Sequence, residues 1–121
     1  MLNKFRYILK RRFLRSMEEN DVDIEGLKNM SKKGAIILDV RSPQEYQEGH
    51  IDGAILIPEY ELVKRAKEEL KNKEENIVIY CQSGIRSKRA QKELQEMGYK
   101  NVYNLYNGLE NYWDFQVYML K

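Results

Sequence analysis

The chain has 121 residues, of which 42% are hydrophobic and 33% charged, and its formal net charge is +2. This length and composition are those of one soluble globular domain, and they exclude both a disordered tail and two independently folded units. No apolar run reaches the roughly 18 residues that a membrane helix needs, and the N-terminus lacks the apolar segment of a signal peptide, so a cytoplasmic location is expected.

The basic residues are concentrated at the N-terminus. Residues 1–17 contain six basic residues and no acidic one, whereas the rest of the chain has 15 basic and 19 acidic residues. We predict a basic amphipathic extension over residues 1–20 and one domain over residues 21–121. The extension is a candidate for binding an anionic membrane surface or an acidic partner, but Arg6 and Arg12 interrupt its apolar face, which favours packing on the domain or a frayed end. Because acidic residues outnumber basic ones in the domain, its charge gives no support for nucleic-acid binding.

In chain order, the first predicted elements are a strand, a short helix and a second strand. Ala35–Val40 is a nearly continuous apolar run, which is typical of a strand buried on both faces of a parallel sheet. The Ser-Pro-Gln-Glu sequence Ser42–Glu45 indicates the capped start of a helix that reaches about Gln47. Ala54–Ile57 is the second apolar run of strand length.

Two amphipathic helices then alternate with two strands. Residues 60–71 and 86–97 show helical spacing of apolar residues, and Gly98 is placed to end the second helix. Ile77–Tyr80 and the weaker run Asn101–Leu105 are the strands. The alternation predicts an α/β fold, with a small, open and mostly parallel sheet of about five strands flanked by helices on both faces.

Cys81 directly follows the most apolar strand and begins a loop, Gln82–Ser87, that leads into a helix. In an open parallel sheet, ligands bind where loops leave the carboxyl ends of strands. The central Gly84 allows backbone N–H groups to turn inward, and the helix start adds free donors and a positive dipole end. With Arg86 and Lys88 nearby in sequence, these surroundings favour a thiolate at Cys81 without a separate general base.

Cys81 and His50 are the only residues of their types. An internal disulfide is excluded, and a protein zinc site with its three or four ligands is implausible, so we expect no metal and no cofactor. A lone cysteine at a strand end is usually a small buried hydrophobe, and the surrounding loop is what favours a reactive thiol here. His50 lies in a turn entering a strand, where we expect a structural role rather than a Cys–His pair.

These motifs resemble the two signatures of rhodanese domains, and the resemblance covers about residues 22–115. The first signature comprises Asp39–Arg41, Glu45–Tyr46 and Gly49–Ala54, the second Val78–Ser87, and the closing segment Gly98, Tyr99, Asn101–Tyr103, Gly108 and Trp113. Asp52 stands where the family usually has Pro, and Asn107 replaces the first Gly of a usual Gly-Gly pair. Because Asn tolerates the left-handed conformation, we expect this turn to survive.

The resemblance implies a sulfurtransferase that takes the sulfane sulfur of a donor such as thiosulfate onto Cys81 and passes the persulfide sulfur to a thiophilic acceptor. It also implies that backbone N–H groups of the loop bind the persulfide, while Arg86, with Lys88, attracts an anionic donor. The substrate-binding residues would be Gln82, Ser83, Gly84, Ile85, Arg86 and Ser87. Since Cys81 is alone, the acceptor is an external thiol, cyanide or another protein.

Three further residues are candidates for the rim of the pocket: Asp39, Arg41 and Lys88. For Arg41 we favour the alternative of a local structural ion pair with Glu45. Aromatic residues near the C-terminus could stack on a base, but we expect them to be core: Tyr106, Tyr112, Trp113 and Phe115. The segment 114–120 is a candidate for packing against the N-terminal extension.

Two other functions share features with this sequence. A phosphatase or an arsenate reductase is disfavoured because four residues separate Cys81 from Arg86, where the phosphatase cradle has five. In addition, position 87 is Ser rather than Arg, and no Asp is recognisable as the general acid of a phosphatase. A persulfide relay, or a non-enzymatic module that senses sulfur or redox state and binds a partner, remains the alternative.

Overall fold

The structure, a computed structural model, describes residues 17–112 and the backbone of residues 119–120. The strands are β1 (Asp21–Val22), β2 (Ile36–Asp39), β3 (His50–Ile51), β4 (Ile55–Leu56), β5 (Asn76–Tyr80), β6 (Asn101–Leu105) and β7 (Met119–Leu120). The α-helices are α1 (Ile24–Lys32), α2 (Pro43–Glu48), α3 (Leu62–Glu69) and α4 (Ile85–Glu96), and Glu59–Glu61 forms a 3-10 turn. Most of the predicted extension, residues 1–16, lies outside the described residues, and the division at residue 20 stays a prediction. Among the described helices, none has the length and apolar character needed to cross a membrane.

The main sheet has the strand order β1-β6-β5-β2-β4, and every neighbouring pair in it is parallel. The predicted open parallel sheet of five strands is therefore confirmed. The two-residue strand β1 supplies the fifth, which the apolar runs did not reveal. β5 lies at the centre, where its residues Ile77–Tyr80 have no exposed surface. This position brings the residue after β5, Cys81, to the middle of the sheet's carboxyl edge.

The two faces of the sheet carry separate hydrophobic clusters, as expected for a sheet covered on both sides. One cluster joins Ile77 and Ile79 to side chains of α3 and α4, and the other joins Val78 and Tyr80 to side chains of α1. The alternation along β5 is the two-residue period of a strand. Tyr112 belongs to the second cluster, in agreement with the predicted core role. Trp113, Phe115 and the segment 114–118 lie outside the described residues.

Local signals place the helix ends. Ser42 Oγ accepts a hydrogen bond from the amide of Glu45 at 3.2 Å, and Glu45 Oε1 accepts one from the amide of Ser42 at 2.9 Å, which forms the predicted capping box. Gly98, with a φ of +98°, follows α4 where its end was expected. The helix predicted over residues 60–71 is shorter because the 3-10 turn after Pro58 occupies its start, and Glu69 on its predicted apolar side is 39% exposed.

Candidate active site

Cys81 lies at the base of a loop that connects β5 to the N-terminus of α4. Its Sγ accepts hydrogen bonds from the amides of Gly84, at 3.0 Å, and Ser87, at 3.3 Å, and the thiol contacts Ser87 Oγ at 3.3 Å. Gly84 is the N-cap of α4 and has a φ of +91°, which a residue with a Cβ rarely adopts. Two amides at the positive end of a 12-residue helix therefore face the sulfur, an arrangement that stabilises negative charge there.

The loop covers the sulfur in this conformation, since Cys81 has 0% relative exposure. The resemblance implies that the amides from Gln82 to Ser87 bind the persulfide, and two of those six are within hydrogen-bond distance of Sγ. The Ser83 and Ile85 side chains point to solvent. A molecule from solvent can therefore contact Sγ only when part of this loop moves outward.

A second segment, residues 107–110, packs against the loop and holds it through backbone hydrogen bonds. The amide of Leu109 donates to the carbonyl of Cys81 at 2.9 Å, and that of Glu110 donates to the carbonyl of Gln82 at 3.0 Å. A Cβ built on Gly108 would lie 2.5 Å from the amide nitrogen of Gly84, so only glycine fits. Asn107 has a φ of +58°, the left-handed conformation expected for it. Sequence reasoning missed this supporting role, although Gly108 stood in the closing motif.

The buried pair Asp39–Arg41 connects the end of β2 to the loop. Arg41 Nη2 lies 2.7 Å from Asp39 Oδ2 and 2.8 Å from the carbonyl of Gly49, and Nη1 donates to Gln82 Oε1 at 3.2 Å. Burial alone would lower the pKa of Arg41, but the hydrogen bonds and charge of Asp39 outweigh it and raise the pKa. The predicted Arg41–Glu45 ion pair is wrong because the carboxylate two residues upstream already holds the guanidinium. Asp39 has no exposed surface, so it does not line the rim of a pocket.

We expect Asp39→Asn to lower the free energy of unfolding by about 3 kcal/mol, because the variant leaves the buried Arg41 without an opposite charge. Urea unfolding would measure this loss. The exposed Asp52 offers a control, whose replacement by Asn should change stability by less than about 0.5 kcal/mol. Equal effects of the two substitutions would show that the buried pair does not stabilise the fold.

Arg86 and Lys88 point in different directions. Arg86 Nη1 and Nη2 lie 2.7 and 2.9 Å from the two carboxylate oxygens of Glu45. The hydrogen bonds from Arg86 lower the pKa of Glu45 to about 2, and those to Glu45 raise the pKa of Arg86. Lys88 instead pairs with Glu18 at 3.0 Å and Asp21 at 3.3 Å, beside β1.

Two clefts flank the loop. One, of about 570 Å³, is lined by residues that include Arg41, Tyr60 and Arg86, and the other, of about 760 Å³, by residues that include Ile85 and Lys88. Arg41 and Lys88, two of the three residues predicted for the rim, thus lie on opposite sides of the loop. Within residues 17–112, no group of three or more His, Cys, Asp or Glu side chains is placed to hold a metal ion.

His50 makes local contacts with α2. Its ring stacks on that of Tyr46 with centroids 3.6 Å apart, and Nδ1 lies 2.8 Å from the Tyr46 carbonyl oxygen. These contacts fix the turn into β3. We expect His50→Ala to change the sulfur transfer that the resemblance implies by less than about twofold, while lowering stability by about 1 kcal/mol through loss of the stack. Steady-state assays and urea unfolding of the same preparation would measure both effects, and loss of transfer with stability unchanged would place His50 in the reaction.

Most of the residues that the structure describes match a known protein family. The family model described as Rhodanese-like domain matches residues 23–114. The chain is 36% identical over 94 residues to the putative sulfur carrier protein YrkF of Bacillus subtilis, an alignment covering 76% of this chain and 50% of YrkF. It is 40% identical over 67 residues to the thiosulfate sulfurtransferase PspE of Escherichia coli, covering 55% of this chain and 64% of PspE. The chain therefore spans between half and two thirds of the length of these two relatives.

A solved structure shows the same fold. The human single-domain sulfurtransferase TSTD1 superposes with a TM-score of 0.70 at 25% identity, and the match covers 80% of this chain and 97% of TSTD1. The range of the family model contains Cys81, the loop above it and the supporting segment 107–110.

Proposed function

The chain belongs to the rhodanese-like domain family, and from this premise we propose that it is a sulfurtransferase whose Cys81 carries sulfur as a persulfide. The observation that carries the proposal is the position of Sγ, which faces two backbone amides at the start of α4. When the loop is closed, these donors are already oriented toward a negative charge on the sulfur, of either the thiolate or the persulfide. The Ser87 hydroxyl is a third group that can donate to a sulfur anion.

The reaction divides into two half-reactions that balance without a cofactor. The Cys81 thiolate attacks the outer sulfur of thiosulfate, the sulfur–sulfur bond of thiosulfate breaks, and sulfite leaves with the bonding electron pair. An external thiolate or cyanide then attacks the outer sulfur of the persulfide, and Sγ leaves as a thiolate. The enzyme returns to its starting state after each cycle.

The burial of Cys81 adds a conformational step to this cycle. The donor enters from the cleft lined by Arg41 and Arg86 and reaches Sγ when the loop between β5 and α4, residues 82–84, moves outward. Gly84, at the end of that loop, can change its backbone conformation with little steric cost. The persulfide then lies under the same loop, away from solvent.

A persulfide relay to a dedicated protein acceptor is the second candidate. The name of the similar YrkF, a putative sulfur carrier protein, supports it. The exposed side chains beside the loop, Ile85 at 63% and Tyr60 at 75% exposure, offer apolar surface to such an acceptor. Residues 1–17 remain a candidate surface for an acidic partner.

Mass spectrometry of the intact protein after treatment with thiosulfate tests the proposal. We expect the mass of one sulfur atom to be added, to map to Cys81 after digestion, and to be removed by excess thiol or cyanide. Polysulfide is a second donor to try in the same way. If neither donor adds sulfur to Cys81, the domain is a binding module rather than a carrier of sulfur.

A further inference from the structure

The guanidinium expected to attract the donor already holds a carboxylate. Both terminal nitrogens of Arg86 donate to the two oxygens of Glu45, at 2.7 and 2.9 Å. Glu45 is itself fixed, because its Oε1 also accepts the amide of Ser42 at the start of α2. The pair thus joins α2 to the first turn of α4, at the edge of the loop above Cys81.

This geometry is the one that an oxyanion donor would need. The planar fork of an arginine binds a carboxylate, a sulfonate or a thiosulfate through two parallel hydrogen bonds. Glu45 takes one N–H from each terminal nitrogen of Arg86, so an anion that enters the cleft meets a guanidinium whose charge is already balanced and whose end-on fork is occupied. To make the same two parallel hydrogen bonds to Arg86, the anion has to displace Glu45.

We propose that Glu45 sets the donor selectivity of the site, competing with anionic sulfur donors for Arg86 and so favouring uncharged donors over charged ones. The inference rests on the proposed function, since it assumes that Arg86 is where a donor anion binds. It assigns to Glu45 a role beyond helix capping: the carboxylate lowers the affinity of the cleft for anions such as thiosulfate.

Two observations indicate that Glu45 can compete with an incoming anion for Arg86 at the pH values where the protein would act. The side chains of Arg86 and Glu45 are 33% and 30% exposed, so an incoming anion can reach the pair. Because Arg86 holds the pKa of Glu45 at about 2, the carboxylate is ionised at all pH values where the protein would act. Mild acidification therefore does not release Arg86.

The test uses two alkylating reagents of similar size that differ in charge. Iodoacetate is an anion and iodoacetamide is neutral, and both must pass the same loop to react with Cys81. The frequency of loop opening and the fraction of Cys81 that is thiolate affect both rate constants equally, so they cancel in the ratio of the two. We expect Glu45→Gln to raise the iodoacetate-to-iodoacetamide ratio about fivefold, because it frees Arg86 for the anionic reagent. Gln keeps an oxygen that can accept the amide of Ser42, so the helix start is retained.

Glu69→Gln is the matched control. Glu69 also holds an arginine, Arg65, through both oxygens and is 39% exposed, but it lies on α3. This variant has the same change in net charge and should alter the ratio by less than about 1.5-fold. Equal ratios in the two variants would overturn the proposal, because the effect would then be one of overall charge.

A variant of Arg86 separates competition from simple repulsion. In an Arg86→Gln background, the further change Glu45→Gln should have less than half of its effect on the ratio. An undiminished effect there would mean that Glu45 repels the anion directly, and the proposal would be wrong.

Glu45→Gln is also expected to change the kinetics of sulfur transfer. The KM for thiosulfate should fall about fivefold in Glu45→Gln, while the KM for an uncharged organic trisulfide stays within about twofold. An equal change for both donors would contradict the proposal. If Cys81 takes up sulfur from no donor in the unmodified protein, the proposed function fails instead, whereas the alkylation ratio still reports on Glu45.

Discussion

Replacing Cys81 by serine is expected to reduce sulfur transfer at least about 1,000-fold, because a hydroxyl cannot take the place of the thiolate that forms the persulfide. Serine is nearly isosteric, and its oxygen can still accept the amides of Gly84 and Ser87. The variant should therefore remain folded, with an unfolding transition close to that of the parent. Steady-state transfer from thiosulfate to cyanide measures the first effect and urea unfolding the second.

The outcome of this experiment separates a protein that carries sulfur on Cys81, as an enzyme or as a relay, from a non-enzymatic binding module. An enzyme loses transfer to every acceptor in Cys81→Ser. A binding module shows no transfer in either form, and its partner affinity would survive the substitution. Transfer that persists at more than about one tenth of the parent rate would exclude a persulfide on Cys81 as the intermediate.

Replacing Gly108 by alanine is the substitution expected to do most damage to the fold around the site. Its φ of +78° disfavours any residue with a side chain, and a Cβ would lie 2.5 Å from both the amide nitrogen of Gly84 and the carbonyl carbon of Ser83. Strain and overlap together should cost about 4 kcal/mol. Since the displaced backbone is the loop above Cys81, transfer should also fall at least about tenfold, which assays at a temperature where the variant is folded would detect.

Gly34→Ala provides a control for the strain alone. Gly34 has a comparable φ of +96°, but nothing lies within 4 Å of the position of its Cβ. This variant should lose about 1 kcal/mol and keep its transfer rate. If Gly108→Ala were no worse than Gly34→Ala, the segment 107–110 would not support the loop as the structure indicates.

The strands and the loop were predictable because their signals are local. The apolar run Ile77–Tyr80 indicated a buried central strand, and Cys81 followed it at the edge where parallel strands end. Ser42 and Glu45 likewise marked the start of α2 through contacts three residues apart. Such features depend on neighbours in sequence, and the structure agrees with them.

The ion pairs and the support of the loop were not predictable in the same way. Arg41 lies near Glu45 in sequence, yet it pairs with Asp39, while Glu45 pairs with Arg86, 41 residues further along the chain. The choice depends on how α2 and α4 pack on the sheet, which composition does not reveal. Gly108 stood in a recognisable motif, but its contact with Gly84 exists only in three dimensions.

The strand β1 and the helix α1 were also missed, for a different reason. β1 has two residues, too few to show an alternating pattern, and it joins the sheet through parallel pairing with β6. α1 is nine residues long and buries two side chains, Ile24 and Leu27, so its apolar face is narrow. The Asp23 cap, whose side chain accepts the amide of Gly26, was the available signal.

The burial of Cys81 is the structural feature that most constrains the mechanism. A thiol with no exposed surface can be an inert part of the core, and the amides of Gly84 and Ser87 are what distinguish it from one. The proposed reaction at Cys81 therefore requires the loop to open for a donor and then to close over the product.

A crystal structure of the protein after treatment with thiosulfate is the most direct test of that requirement. We expect one additional sulfur bonded to Sγ of Cys81 and lying under the closed loop, with the amides of Gly84 and Ser87 directed at it. An unmodified Cys81, still sealed beneath an unchanged loop after prolonged exposure to the donor, would contradict it.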